Sequence, residues 1–381
     1  MAKPGNTKKG FNIRNLSRRF LAMINLGLAL IFVLACFQHW LSPETFWFIG
    51  YLSIAFPYLL VAVTLFLFFW IFAKKHKLYI LISLVALIIG YKQIGVLFSL
   101  QQNNYVQKKE PGSIRVMTWN IMSFNGFKAG VKEREKNADL IFAIIKESDA
   151  DVVCLQEYGQ FESPKLGRSY LQQMAKIGYK EYVLSRDYNR VTYSYSSGVA
   201  IFSKHPIIAK ERIPYRSSAE SLLLADVKFG NDTIRFFTTH LQSYKFSAVE
   251  LEQIEKIKDT EKPGLNPSKS LISKMQRAFR NRGAQVDQAV PVIEKSKYPQ
   301  VVCLDMNDVP ASYAYWKIRG DRTDAFLAKG FGMGTTYQSI LPTLRLDYIF
   351  SHPKFEVTQV KILNQQYSDH LPVVADFRLE K

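Results

Sequence analysis

Cysteine is scarce in this chain of 381 residues, which has three: Cys36, Cys154 and Cys303. All lie in apolar runs, so a disulfide framework is excluded and each reads as a small buried hydrophobe. No internal repeat of solenoid period is present, which excludes a stacked-repeat architecture. No small-residue cleavage site closes the first apolar run, which argues against a cleaved signal peptide. Acidic residues are in deficit, with 32 Asp+Glu against 50 Lys+Arg and a formal net charge of +18. The deficit is uneven: residues 1–110 hold 12 Lys+Arg and 2 Asp+Glu, net +10, which leaves +8 of the +18 for the remainder. Part of the basicity therefore belongs to membrane topology and not to a nucleic-acid footprint.

What the first hundred residues do have is hydrocarbon. A basic head, residues 1–19, carries Lys8, Lys9, Arg14, Arg18 and Arg19. Three apolar stretches follow, Phe20 to Leu41, Phe46 to Ala73 and Leu78 to Leu100, and residues 20–100 read as three transmembrane helices. The third is interrupted by Lys92 and Gln93, read as a polar outer turn with Lys92 snorkelling to the interface. Lys74, Lys75, His76 and Lys77 make the second loop basic, whereas the turn Ser42 to Thr45 has no Lys or Arg. The positive-inside rule then places head and second loop in the cytoplasm and the C-terminal domain on the far side of the cell membrane. That conclusion depends on the number of spans being odd.

Residues 101–113, with Pro111-Gly112 near the end, read as a polar linker. Beyond it, from 114 to 381, short apolar strands alternate with polar loops and helical patterns, the signature of a mixed α/β sandwich. Several strands end on oxygen or imidazole donors. IRVMTW ends on Asn120, DVVCL on Gln156 and Glu157, IRFFTT on His240, and VVCL on Asp305 with Asn307 two residues later. Residues two apart on an extended segment share a face, so Asp305 and Asn307 project together. A strand from Leu346 to Phe350 carries Asp347, and Asp369-His370 precede the last strand, LPVVADF. Helical periods cover Asn137 to Ser148 and a basic insertion, Lys245 to Lys297, which reads as a solvated arm able to touch anionic headgroups or a polynucleotide.

The ordered set TWN, LQE, SGVAIFSKHPI, TTHL, LDMND, LRLDYIF and SDHLP resembles the endonuclease/exonuclease/phosphatase superfamily, in its membrane-anchored bacterial form, over roughly Ile114 to Leu379. The resemblance implies a four-layered α/β sandwich, two packed mixed β-sheets flanked by helices, with the site at one edge. It implies a hydrolase that attacks phosphate esters with water, in line, assisted by Mg²⁺ or Mn²⁺. Glu157, Asn120 and Asp369 would hold or support the metal. Asp305 would orient or deprotonate the water, Asn307 would hold phosphate or metal, and His240 would contact the scissile phosphate. Asp347 would fix the His370 imidazole and favour its protonated form. Leu304 stands where the family has glycine and Met306 where it has phenylalanine. Leu304 is the departure expected to narrow the site or shift the strand.

The substrate stays open among a phosphate ester in lipid or lipid-linked compounds, favoured by the apolar stretches, and DNA or RNA cut by a tethered nuclease, favoured by the basic arm. A catalytically silent binding module at the bilayer is the third reading. No obligate protein partner is implied. Among secondary candidates, His205 and His352 read as turn residues before proline, and Tyr193 and Tyr195 as part of a plain hairpin near Arg186 and Arg190. Arg345 reads either as a contact for an anionic substrate or as a surface ion pair.

Overall fold

The computed structural model describes residues 13–73, 77–102, 105–125, 130–161, 168–190, 194–216, 218–247, 250, 269–337, 344–365 and 367–380. The first twelve residues, Lys74 to His76, Tyr193 and Lys262, to which the sequence reading gave roles, lie outside them.

Two mixed sheets form the centre. The seven-stranded sheet runs β14 (Phe355–Ile362), β15 (Val373–Leu379), β2 (Ile114–Asn120), β3 (Val152–Phe161), β6 (Tyr195–Ser203) and β4 (Glu181–Leu184), with β5 (Tyr188–Arg190) also on β6. The six-stranded sheet runs β11 (Thr323–Asp324), β13 (Asp347–Ser351), β10 (Gln300–Asp305), β9 (Asp232–His240), β8 (Ser221–Phe229) and β7 (Ile207–Pro214). Inner faces meet through Val116, Val152, Cys154 and Ile201 from one sheet and Leu223, Phe236, Val301, Cys303 and Ile349 from the other. Helix α5 (Val131–Ser148) covers the outside of the first sheet with Ala138, Ile141 and Ile145. Helix α6 (Lys269–Glu294) covers the outside of the second with Val286, Ala289 and Ile293. This is the expected four-layered sandwich. Central strands are covered on both faces, so their sequences are unbroken apolar runs without alternation.

Two expectations fail within these layers. Leu304 does not face the site. Its neighbours Val301 and Cys303 enter the space between the sheets, while Val302, Leu304 and Met306 pack under the α6 layer. The register of β10 on β9 and β13 runs unshifted to Asp305, so Leu304 neither narrows the site nor moves the strand. Helix α6 is likewise no solvated arm. Arg282 is 1% exposed, with Nη1 donating to Gln242 O at 2.9 Å and Nη2 to Tyr244 Oη at 3.0 Å, and Lys274 pairs with Glu250 at 2.6 Å. Residues 251–268 of that insertion lie outside the described residues.

Among the described residues the N-terminal part holds two helices long and apolar enough to cross a membrane, over Leu16–Trp40 and Ile49–Phe72, in place of the three expected. The third, α3 (Lys77–Ile89), has 13 residues. At 1.5 Å per residue that is about 20 Å, short of the ~30 Å hydrocarbon core. Gly90, at φ −81° and ψ 3°, ends it before the short helix α4 (Tyr91–Gly95). Gln93, read as part of a polar outer turn, is buried, and its Nε2 donates to Cys36 O at 2.6 Å. Beyond it, β1 (Ser99–Leu100) pairs with β12 (Phe331–Gly332), so the chain there already belongs to the sandwich. Helices α1 (Ile13–Cys36), α2 (Ile49–Phe72) and α3 pack together, and Asn25 joins Ser83 (2.8 Å) and Tyr79 O (3.3 Å) among them.

The end of this bundle formed by Cys36 and Ile49 is fused to the sandwich. Gln38 Nε2 donates to Ala311 O at 2.6 Å, and Ser53 donates to Gln38. A Cβ on Gly50 would lie 2.3 Å from the Phe279 ring, and one on Gly283 would lie 2.8 Å from the Glu44 nitrogen. Glycine is what lets α2 and the turn before it close on α6. Arg345, read as a substrate contact or a surface pair, is instead buried, 3.2 Å from Asp324 and donating to Val96 O at 2.9 Å. The segment read as a linker lies along the domain: Val106 N donates to Gln359 Oε1 at 2.8 Å and Lys109 pairs with Asp151 at 2.6 Å.

Candidate active site

Strand register assembles half the site. On the six-stranded sheet Asp305 is the direct partner of His240 on one side and of Asp347 on the other, so three polar groups stand in a row at one strand end. On the facing sheet Asn120 pairs with Gln156 in parallel register, and the β3–β6 register then slips between Leu155 and Tyr158. Glu157 sits in that slip with φ 50°, a bulge that aims its side chain at the row opposite. Asn307 also has φ 50°, a conformation asparagine tolerates, and it turns the chain back after β10.

All eight sequence-derived residues meet. Asn120 Nδ2 donates to Asp305 Oδ2 at 2.9 Å and to Glu157 Oε1 at 3.3 Å. His240 Nε2 lies 3.5 Å from Asp305 Oδ2, 3.6 Å from Glu157 Oε1 and 2.9 Å from Asn307 Nδ2. The Asn307 backbone N–H donates to Asp305 Oδ1 at 2.8 Å. His370 Nδ1 is 2.8 Å from Asp347 Oδ2, and its Nε2 is 3.7 Å from Asp305 Oδ2. Asp369 lines the same cavity, and Ser368 Oγ ties its loop to Asn120 O at 2.7 Å. Asp305 and Asp347 side chains are fully buried, that of His240 is 12% exposed and that of Glu157 39%, so the site opens on the Glu157 side.

Electrostatics separate the two ends. Burial lifts the Asp347 carboxyl to about 6 against the pull of His370, with Asp305 adding to the rise. Burial would lower His370, but the charges of Asp347 and then Asp305 override it and raise the imidazole to about 10. At neutral pH the pair is therefore carboxylate and imidazolium. The other end carries the Glu157 and Asp369 carboxylates, oxygen donors that suit a hard divalent cation, while the Asn120 amide turns its Nδ2 toward Glu157 and its Oδ1 accepts the Met122 N–H at 3.0 Å. Asp305, Asp347 and His370 also offer ligand atoms within 4.8 Å of one another. A protonated imidazole whose Nδ1 is committed to Asp347 has no lone pair to give, so the oxygen set fits a metal better.

A family model described as Endonuclease/Exonuclease/phosphatase family matches residues 117–370. The chain belongs to this family. Its members are metal-dependent phosphoester hydrolases, nucleases and phosphatases among them, and the chain is an enzyme of that class. A second model, for a domain of unknown function, matches residues 18–97, the stretch that ends where the chain enters the sandwich. No curated protein matched the chain. Among solved structures, an endonuclease/exonuclease/phosphatase from Beutenbergia cavernae is 22% identical at a TM-score of 0.50, covering 70% of this chain and 72% of that one. The human Nocturnin catalytic domain with bound sulfate is 18% identical at 0.49, covering 71% and 96%. D. rerio TDP2, solved with a single-strand DNA product, is 15% identical at 0.47, covering 70% and 99%.

Sequence reasoning missed the walls around these residues. Thr336 Oγ1 accepts the Leu346 and Asp347 N–H groups at 2.9 and 3.1 Å and so fixes the start of β13. The Tyr337 ring lies 4.8 Å from the His370 ring. Ile54, Tyr244, Phe246, Leu271 and Met275 line the cavity beside the site. Nothing local marks them, because they come from distant parts of the chain and look like ordinary core or loop residues. His205 and His352 stay away from the site in turns: His205 Nε2 is 3.4 Å from Asp151, and His352 Nδ1 accepts the Lys354 N–H at 3.1 Å. Tyr195, buried at the start of β6, pairs with Arg190 of β5 in the expected hairpin.

Proposed function

We propose that the chain hydrolyses a phosphate ester held at a membrane surface, using one divalent-cation site and one acid–base pair. The observation that carries this reading is the register row His240–Asp305–Asp347 facing Glu157 and Asn120, with the polar atoms of both sheets within 3.7 Å. Glu157 and Asp369 would hold Mg²⁺ or Mn²⁺, with Asn120 beside them. Such a cation supplies charge neutralisation for the phosphoryl oxygens. Asp305, fully buried and fixed by the Asn307 N–H, accepts the proton of the attacking water. His240 and the Asn307 amide face the phosphate. The His370 imidazolium, held by Asp347, stabilises charge as it develops opposite the water.

The membrane part of the reading rests on α1 and α2. The sandwich is docked at the Cys36–Ile49 end of these helices, while Arg18 and Arg19 lie near the other end of α1. Those ends are about 27 Å apart for 18 residues of helix, close to a bilayer's hydrocarbon thickness. With two full spans alone the head and the domain would share a face; in this reading α3 and α4 return the chain to the docked end although α3 is too short to span by itself, and the positive-inside rule then puts the domain outside the cytoplasm. Tag accessibility in intact cells tests it: a C-terminal tag reached by external protease fits, and a shielded one contradicts it.

The nuclease alternative keeps Lys269, Arg277 and Arg280, which are exposed on α6, but loses Arg282, which is buried, and Lys274, which is paired with Glu250. The silent-module alternative rested on Leu304, which faces the helices. The deciding experiment presents a lipid-linked pyrophosphate, a phospholipid and plasmid DNA to the full chain with Mg²⁺, beside Glu157→Ala. Cleavage of a lipid phosphate that is lost in the variant supports the reading; cleavage of DNA alone, or of nothing, refutes it.

A further inference from the structure

The catalytic centre lies between two cavities that share Glu157, His240, Ser243 and Lys245. They differ in chemistry. On one side a cavity of about 510 Å³ is walled, beyond the catalytic groups, by Ile54, Tyr244, Phe246, Leu271, Met275 and Leu344. On the other a groove of about 360 Å³ is walled by Asp187, Tyr188, Arg190, Ser197 and Glu220. Each is of a size that takes a small-molecule group.

The origin of the apolar wall matters. Ile54 belongs to α2, one of the two helices long and apolar enough to cross a membrane. Leu271 and Met275 are eight and four residues before Phe279 on α6, hence on one face with it. Phe279 is the residue against which Gly50 of α2 closes. The wall is therefore the continuation of the seam between α2 and the sandwich, and it leads from the metal-facing carboxylate toward an apolar helix. Apart from the His370 imidazolium of the site itself, Lys245, at the catalytic end, is the one cation among the described lining residues of this cavity. A polynucleotide strand would need cations along its path, whereas a hydrocarbon chain needs none.

We propose that the substrate is an amphiphilic phosphoester whose long hydrocarbon chain lies in the α2–α6 seam while its polar remainder occupies the groove at Arg190 and Lys245. This deepens the phosphoesterase reading and rests on it. The scissile phosphate then sits at the junction, beside Glu157 and His240. Ile54 and Met275 become specificity-determining residues for chain length.

The test uses the full chain in nanodiscs of zwitterionic lipid and alkyl p-nitrophenyl phosphates with chains of increasing length. Burying a methylene fully is worth up to about a fourfold gain in affinity. We expect kcat/KM to climb by at least about 100-fold from an ethyl to a decyl chain, carried by KM, and the climb to flatten in Met275→Trp and in Ile54→Trp, which fill the cavity from α6 and from α2. A flat series in the wild type, with the ethyl ester still hydrolysed, overturns the inference and leaves the phosphoesterase reading standing. If no ester is hydrolysed, the phosphoesterase reading fails, and binding of a dansyl-labelled alkyl phosphonate decides the seam by itself. Affinity that rises with chain length and falls in both tryptophan variants upholds the chain site; affinity independent of length, or displacement of the probe by a single-stranded oligonucleotide, overturns it.

Discussion

The tetrapeptide VVCL occurs twice, as Val152–Leu155 in β3 and as Val301–Leu304 in β10, and the two copies build opposite halves of one site. Up to the leucine they behave alike. Cys154 and Cys303 both enter the space between the sheets, while Leu155 packs under α5 and Leu304 under the α6 layer. The next residue separates them. After β10 comes Asp305, in unbroken register with His240 and Asp347. After the β3 copy comes Gln156, fully buried, whose Nε2 bridges the sheets by donating to Thr238 Oγ1 at 2.9 Å and to Thr118 Oγ1 at 3.0 Å. The acid on that side is one residue later, Glu157, swung into the site by the bulge. Equal strands thus deliver their carboxylates at different offsets, one by register and one by a break in register.

The largest expected effect breaks that contrast directly. Asp305→Asn removes the proposed proton acceptor and should lower kcat by about 10²–10⁴. Gln156→Ala, at the matching position, leaves buried hydroxyls unpaired and should cost about 1–3 kcal/mol of stability with a smaller loss of rate. Steady-state kinetics and urea titration of both variants check this; a Gln156 variant that stays folded yet loses more rate than Asp305→Asn would invert the assignment. Next in size, Leu304→Gly restores the residue the family resemblance called for but empties a packed position, at about 3–5 kcal/mol. Its kcat should not rise. A faster enzyme with little loss of stability would show that Leu304 crowds the site after all. The smallest effect concerns the seam, where Gly50→Val must push Phe279 aside and should destabilise by about 1–3 kcal/mol, read as a lower denaturation midpoint. An unchanged midpoint would mean that α2 does not close on α6.

Much of the site was legible because it is carried by strand ends. An apolar run followed by a carboxylate, amide or imidazole marks both the element and the position of its chemistry, and Asn120, Glu157, His240, Asp305, Asn307, Asp347, Asp369 and His370 all lie around one cavity or directly behind it. The sandwich was legible for the same reason, although β7, β8 and β14 were not read: β7 (Ile207–Pro214), on a sheet edge, is largely exposed and carries no buried run, whereas β8 is buried along Ser221–Val227 and ends on no donor that would have marked it. The failures came where local composition and tertiary role part company. Leu78 to Leu100 has the hydropathy of a span, yet Gly90 ends the helix and Gln93 turns inward to cap Cys36 O. Arg282 and Arg345 look like surface cations and are buried, because Asp308, Tyr244 and Asp324 lie beside them in space and not in sequence. The apolar cavity could not be read at all, being a seam between helices that are more than two hundred residues apart in the chain.

The central claim is that the two VVCL strands supply halves of a single catalytic unit. A double-mutant cycle on kcat with Asp305→Asn and Glu157→Gln, at saturating Mg²⁺ on a substrate the wild type hydrolyses, tests it most directly. Groups that act as a unit are strongly non-additive, so the double variant should be about as slow as the slower single one. Losses that multiply would contradict the account, because they would mean that the two carboxylates act independently.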